Sequence, residues 1–164
     1  MKIEKQKQLL KLIEKDCRLS IDEYAILLGE ESAVVAHEIK RLEAENIICG
    51  YRGLIDWSKI ETEWIEAFVE VRTLAQGEDG YRNIANSIKK FPQVEILYFI
   101  SGGFDFFVKV RGKNIKDISR FIATNLASIP EVQGTRTHFL LDKYKEWGID
   151  LEDNDTDHRI KVTP

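Results

Sequence analysis

The chain has two cysteines, three prolines and three histidines in 164 residues, and each scarcity narrows what it can be. Cys17 and Cys49 stand in separate segments with no second pair and no nearby histidine spacing, so no structural zinc site is expected and each reads as a small core filler. His37, His138 and His158 are equally scattered, and neither Gly-x-Ser-x-Gly nor Gly-x-x-x-x-Gly-Lys occurs. No catalytic residue, metal or cofactor is therefore expected, and the chain does not read as an enzyme. No apolar run reaches membrane-spanning length, and the opening MKIEKQKQLLKLIEKD is too charged for a secretory signal, which points to a soluble, cytoplasmic protein without a membrane partner. Basic excess is lacking too. With 24 Lys and Arg against 28 Asp and Glu, the net charge of −4 excludes a protein that coats nucleic acid indiscriminately, yet leaves room for one basic face.

What is present begins with helices. Ile3, Leu9, Leu10, Leu12 and Ile13 give an apolar side to a helix ending about Lys15. Ser20-Ile21-Asp22-Glu23 spells a capping box, Ile21, Tyr24, Ala25 and Leu28 follow at helical spacing, and Gly29 is placed to end that helix. A third helix is expected with Ser32 as N-cap and Val35, Ile39 and Leu42 as its buried stripe. Two short helices joined through a glycine, with a preceding helix to pack on, form a helix-turn-helix pattern. Opposite the stripe lie Ala33, His37, Lys40, Arg41 and Ala44, small at the start and basic further along. Small residues admit base edges, while Arg and His donate to purines or phosphates. A solvated helix face is the alternative for a lone Lys-Arg pair, and the helix-turn-helix spacing favours DNA over it. Ala33, Val34, His37, Lys40, Arg41 and Arg52 are the candidate contacts to double-stranded DNA. Two β-prone pieces within Ile47 to Asp56, around Gly50 and Gly53, suggest a wing and a strand leading out of this domain.

The second half has the order βαββαβ. Ile65, Ala67, Val69 and Val71 alternate along a strand, and Gln76 to Gly80 reads as a polar connection. Tyr81, Ile84, Ala85 and Ile88 mark a helix closed by Phe91-Pro92. Val94 to Ser101 and Phe104 to Val110 read as strands joined at Gly102-Gly103, where glycine permits positive φ or a close ligand approach. Ile115, Ile118, Ile122 and Leu126 mark a second helix closed by Ile129-Pro130, and a last strand runs from about Val132 to Lys143. Phe91-Pro92-Gln93-Val94 and Ile129-Pro130-Glu131-Val132 form a weak repeat at the two helix-to-strand passages. The expected fold is α+β, a winged helix-turn-helix followed by a ferredoxin-like sheet with both helices on one face. The other face would carry either Ile96, Tyr98 and Ile100 or Leu97 and Phe99, a patch that a symmetric homodimer removes. Domain limits are expected at 1–56, a linker at 57–63, the sheet domain at 64–146 and an acidic tail at 147–164. Glu152, Asp153, Asp155 and Asp157 lack EF-hand spacing, so they read as solvated tail.

The run from Leu19 through Asp56 resembles the winged helix-turn-helix of the leucine-responsive/asparagine-responsive (Lrp/AsnC) transcriptional regulators. The resemblance rests on Ile39-Lys40-Arg41-Leu42-Glu43 and Ile48-Cys49-Gly50-Tyr51, and extends to about Gly148. It implies a DNA-binding regulator whose C-terminal regulation-of-amino-acid-metabolism (RAM) domain dimerises, assembles further, and senses an amino acid or related small metabolite. Ser101-Gly102-Gly103-Phe104-Asp105 resembles the family's Gly-x-Tyr-Asp loop, and Gly134-Thr135-Arg136-Thr137-His138 the start of its final strand. The implied effector residues are Ser101, Gly102, Gly103, Phe104, Asp105, Thr135 and Thr137. Chemically, glycine-freed amides suit a carboxylate, an Asp suits an ammonium, and threonine hydroxyls serve either. The plainer alternative is that Asp105 caps the turn and the threonines favour a strand.

Two departures from the family pattern stand out. Phe104 replaces a common Tyr and removes a hydroxyl. Glu38 stands where the family often has Arg, and Glu30 and Glu31 precede the same helix; a carboxylate about 4 Å from a phosphate would cost about 1 kcal/mol even in water. The first 60 residues carry 10 Lys and Arg against 11 Asp and Glu, so DNA binding must rest on local placement and on two-fold repetition. Two other readings follow: a ligand sensor or scaffold with a degenerate DNA reader, and an enzyme resembling the sirohaem decarboxylases, which share this frame.

Overall fold

The computed structural model describes residues 1–61, 63–74 and 77–151. They divide into two compact units, Met1–Ile55 with the segment from Lys145 onward, and Asp56–Tyr144.

The first unit is built on α1 (Ile3–Lys15), α2 (Ile21–Leu28) and α3 (Ser32–Ala44). Leu9, Ile13, Tyr24, Ala25, Leu28, Val35 and Leu42 form its core. The capping box sets the start of α2: Ser20 Oγ accepts from the Glu23 amide at 3.2 Å, and Glu23 Oε2 accepts from the Ser20 amide at 2.7 Å. Gly29 ends the helix in the left-handed region, with φ 59°. Tyr24 donates to the Asp16 carbonyl at 2.9 Å, and burial pushes its phenol up to about 12.

Several sequence expectations change here. Glu31, not Ser32, is the N-cap of α3, without a side-chain cap; the Ser32 hydroxyl instead donates to Asp22 Oδ1 at 2.5 Å. Glu38 joins Val35 and Leu42 as a buried residue of the helix, while Ile39 is only half-buried. The β-prone pieces after α3 form no strand: among the described residues none lies between Ala44 and Ile65. Instead the chain turns at Asn46, whose φ is 55°, and the Ile47 and Ile48 amides both donate to the Leu42 carbonyl, at 2.9 and 3.1 Å. Strand propensity needs a ladder partner, and the turn onto Leu42 leaves these residues without one. The tail expectation is revised at its start. Lys145–Glu146 (β5) and Ile149–Asp150 (β6) pair as a small hairpin across Trp147 and Gly148, with φ 51° and 81°. The acidic stretch from Glu152, including His158, lies outside the described residues.

The second unit contains β1 (Ile65–Thr73), α4 (Gly77–Ile88), β2 (Val94–Phe99), β3 (Phe106–Gly112), α5 (Ile115–Phe121) and β4 (Val132–Phe139). A π-helical turn, Ile122–Leu126, continues α5. All neighbouring strands are antiparallel in the order β2-β3-β1-β4. Ala67, Val69 and Val71 lie opposite Val110, Val108 and Phe106, and these meet Ile84 and Ile88 of α4 and Ile118 and Phe121 of α5 in the core. A Cβ at Gly112 would come within 2.7 Å of Ile118 Cγ1, so glycine permits the close approach of α5 to β3.

The register settles which face each β2 residue takes. Leu97 and Phe99 pair with Val108 and Phe106 on the helix side, whereas Ile96 and Tyr98 pair with Lys109 and Phe107 on the helix-free side. A register shift between Val94 and Ile96 resets the alternation of β2. Element ends also move. Helix α4 starts at Gly77 rather than near Tyr81, β2 stops at Phe99, β3 begins at Phe106, and β4 stops at Phe139. Backbone pairing runs one residue past two of these ends: the Ile100 amide donates to the Asp105 carbonyl at 2.9 Å and the Leu140 amide to the Glu66 carbonyl at 3.0 Å.

Candidate functional site

Two surfaces carry the residues singled out from sequence. The first is the outer face of α3. Ala33, Val34, His37, Lys40 and Ala44 are exposed there, and Arg52 is exposed in the segment that follows. Arg41 is differently placed. Its Nη2 donates to Glu38 Oε1 at 2.7 Å, and its Nη1 to Glu45 Oε1 at 2.7 Å. The guanidinium is thus shared between two carboxylates one turn away on either side.

Glu38 is 3 % exposed, on the inner side of α3. The expectation that its carboxylate faces phosphate is therefore wrong. It lies 140° around the helix from Ala33 in the 100° progression, beside the Val35–Leu42 stripe rather than on the outer face. The hydrogen bond from Arg41 holds its carboxyl below the usual carboxylate range, against the effect of burial. Glu30 is also paired, to Lys5 at 2.7 Å. Tyr51 donates to Glu43 Oε1 at 2.8 Å; burial, then Glu43, pushes its phenol up to about 12. The outer face is thus small and neutral at its start, with Lys40 as its exposed cation and Arg52 beyond it.

The second surface is the loop from Ile100 to Asp105, between β2 and β3. It is pinned at both ends: the Ile100 amide donates to the Asp105 carbonyl at 2.9 Å, and the Asp105 amide to the Val71 carbonyl at 3.0 Å. Asp105 Oδ2 accepts from the Thr73 amide at 2.7 Å and from the Thr73 hydroxyl at 3.1 Å. Between the pins, the amides of Ser101, Gly102, Gly103 and Phe104 donate no hydrogen bond to another described residue. Gly102 and Gly103 do not use positive φ. Thr135 lies beside Val71 and Thr137 beside Val69, both half-buried on the helix side of the sheet. Thr135 therefore joins the loop at one end of the sheet, and Thr137 sits two residues further in.

Thr73 was not legible as a site residue, because it is simply the last position of an alternating strand. A charged cluster on the helix-free face was missed as well. Lys109 lies 2.9 Å from Glu66 and 3.2 Å from Glu95, Arg111 lies 2.9 Å from each, and Lys143 lies 2.8 Å from Glu66. The Arg111 guanidinium stands 4.7 Å from the Trp64 ring centroid. Burial alone would raise the Glu66 carboxyl; hydrogen bonds from Lys143, Lys109 and Arg111 outweigh it and bring it to about 2. The one sequence signal was Lys109 inside the apolar run FFVKV. Among the described residues no helix is long and apolar enough to cross a membrane.

Residues 66–148 match the family model of the Lrp/AsnC ligand binding domain. Over 162 residues the chain is 33% identical to the uncharacterised HTH-type transcriptional regulator YugG of Bacillus subtilis, covering 98% of each. Among solved structures, MtbAldR superposes with a TM-score of 0.74 at 21% identity, over 87% of this chain and 95% of that one. The feast or famine regulatory protein from M. tuberculosis, complexed with L-methionine, superposes with a TM-score of 0.70 at 20% identity, over 88% and 95%. A family-model match over half the chain, a near full-length relative and the shared three-helix and βαββαβ architecture agree: this chain belongs to the Lrp/AsnC family of transcriptional regulators.

Proposed function

We propose that the protein binds double-stranded DNA through the outer face of α3 as a homodimer or larger assembly, and that an amino acid or related metabolite bound at its sheet domain changes that binding. The observation that carries the DNA reading is the sorting of charge on α3. Glu38 is buried and paired, while Ala33, Val34, His37 and Lys40 form the exposed face. A small, uncharged start to the helix suits approach to base edges, and Lys40 and Arg52 suit the flanking phosphates. Glu38 turned inward supports a working reader over a degenerate one, for which the near-neutral charge of the first 60 residues still speaks.

The amino-acid reading is supported by the loop amides of Ser101 to Phe104 beside the fixed carboxylate of Asp105, and by the L-methionine complex of a regulator that shares this fold. Dimerisation is supported by the helix-free face, where Phe68 and Phe107 stack at 5.1 Å and Tyr98 is 52% exposed. Regulation requires the effector to bind one arrangement of the assembly better than another.

The test is fluorescence anisotropy of the full-length protein against the DNA upstream of its own gene and a scrambled duplex, with and without a mixture of the standard amino acids. The reading predicts preference for the first duplex and a shift of that curve by the mixture. Equal binding to both duplexes, or a curve the mixture leaves in place, contradicts the corresponding half of it.

A further inference from the structure

The flank of α3 between its buried stripe and its outer face borders a cavity that the DNA reading does not use. The cavity has a volume of about 320 Å³, at the lower end of small-molecule sites. Its inner wall is apolar: Ile13 and Tyr24 are buried there, and Cys17, Leu19 and Ile39 are half-buried. The Tyr24 hydroxyl is committed to the Asp16 carbonyl. Every lining residue belongs to the first unit, so the cavity is separate from the loop between β2 and β3.

The polar groups stand at the rim, where Lys40, Glu43 and Tyr51 are exposed. Tyr51 and Glu43 satisfy each other through their 2.8 Å hydrogen bond. The Lys40 ammonium makes no ion pair or hydrogen bond with another described residue, not even with Glu43 three positions on. An apolar hollow with one unpaired ammonium at its rim is complementary to an apolar body that carries a single negative group. The cation replaces the water that such an anion sheds. In the 100° progression of the helix, Lys40 lies about 20° from Ala33, on the side towards the cavity. It therefore belongs to the outer face and to the rim at once.

We infer that this cavity is a second ligand site, for a small apolar carboxylic acid whose carboxylate takes the Lys40 ammonium and withdraws it from DNA phosphate. The site itself stands on the cavity and its rim; the effect on DNA rests on the DNA reading of α3 proposed above. A ligand bound here acts on the reader directly, without a change of assembly. An amine on the same apolar body meets only Glu43, already bonded to Tyr51, and a neutral alcohol gains burial alone.

The probes are 3-phenylpropanoate, 3-phenylpropylamine and 3-phenylpropanol, one body with three head groups. Occupancy is read on the full-length protein, in a Cys49→Ser background, as slower alkylation of Cys17 by iodoacetamide, and affinity by isothermal titration calorimetry. The acid is expected to bind at least tenfold more tightly than the amine or the alcohol and to protect Cys17. Lys40→Met should bring the acid to the level of the alcohol. Ala36→Phe, which fills the cavity from α3, should abolish protection. Should that variant fail to fold, Ile21→Glu serves instead: Ile21 lines the cavity at the exposed first position of α2, where a carboxylate suits the helix start and repels the acid. Saturating acid should weaken binding of the parent to the upstream duplex and lower its salt slope, but leave binding by the Ala36→Phe variant unchanged. Failure of all three probes to protect Cys17, or an acid that binds no better than the amine and the alcohol, would overturn the site. Protection of Cys17 with duplex binding unaffected would overturn the antagonism. A parent that prefers neither duplex, with Cys17 still protected by the acid, would reject the DNA reading and leave the site standing.

Discussion

Glu38 Oε1 accepts a 2.7 Å hydrogen bond from Arg41 Nη2, and the pair joins the buried side of α3 to its exposed side. The carboxylate is almost fully enclosed, whereas 38% of the arginine side chain remains exposed. Glu38 thus belongs to the packing of the first unit, and it draws Arg41 away from solvent.

Replacing Glu38 with Arg, the residue the family often carries, should therefore weaken folding rather than strengthen DNA binding. It would set a second guanidinium beside Arg41 at a buried position, and a loss of about 2–4 kcal/mol is expected. Glu38→Ala should be milder, at about 1–3 kcal/mol, because Arg41 can hydrate and keeps Glu45. Urea unfolding followed by helical circular dichroism measures both. A Glu38→Arg variant as stable as the parent would show that the residue does not depend on its paired, enclosed setting.

Glu45 holds the other side of Arg41, at 2.7 Å, and its side chain is 47% exposed. Glu45→Gln should release that half of the guanidinium at little expense in stability, since exposed pairs of this kind are screened by water. On the upstream duplex it should tighten binding and steepen the salt dependence. An unchanged salt slope would place Arg41 away from phosphate.

Glu66 leads to a pH prediction. Its carboxyl sits at about 2 in the folded protein against an ordinary 4.5. A lowered carboxylate means the unfolded chain binds the proton first on acidification. The contribution of Glu66 is fully present above 4.5 and is lost as pH falls from there towards about 2. Glu66→Gln should flatten the acid limb of stability against pH, measured by thermal unfolding between these limits. An acid limb identical in parent and variant would contradict this.

Asp105 fastens the loop to the end of β1 through the Thr73 amide and hydroxyl. Thr73→Val removes one of these two donors and should cost about 1 kcal/mol of stability, with a larger proportional loss of amino-acid affinity as the carboxylate loosens. Calorimetry on the variant checks the second effect. A loss of stability with unchanged affinity would leave Asp105 a turn residue only.

How far these features could be read from the residues follows from the range of the forces involved. The capping box at Ser20 and Glu23 and the left-handed stop at Gly29 are local, and both are present as written. The βαββαβ order followed from alternation in β1, helical spacing in α4 and α5, and the apolar density of β2 and β3. Long-range pairing was less legible. Whether Ile96 and Tyr98 or Leu97 and Phe99 face the helices depends on a register shift near Glu95 that no local pattern marks. Glu38 was misplaced because the stripe of Val35, Ile39 and Leu42 looked complete, and a glutamate beside it reads as solvated until Arg41 is seen to pair with it. On the candidate effector loop, Asp105 was identifiable and Thr73 was not, since their contact spans 32 residues. The β-prone stretch after α3 shows the converse: propensity without a pairing partner leaves no strand.

The measurement that bears most directly on the DNA-reading face is the salt dependence of binding to the upstream duplex for the parent, Lys40→Ala and Arg41→Ala. If Lys40 meets phosphate and Arg41 is held back by its carboxylates, Lys40→Ala should reduce the slope of log K against log salt by about 0.9 per site neutralised, with a smaller change for Arg41→Ala. If neither substitution alters affinity or slope while the parent binds specifically, the outer face of α3 is not what meets the DNA.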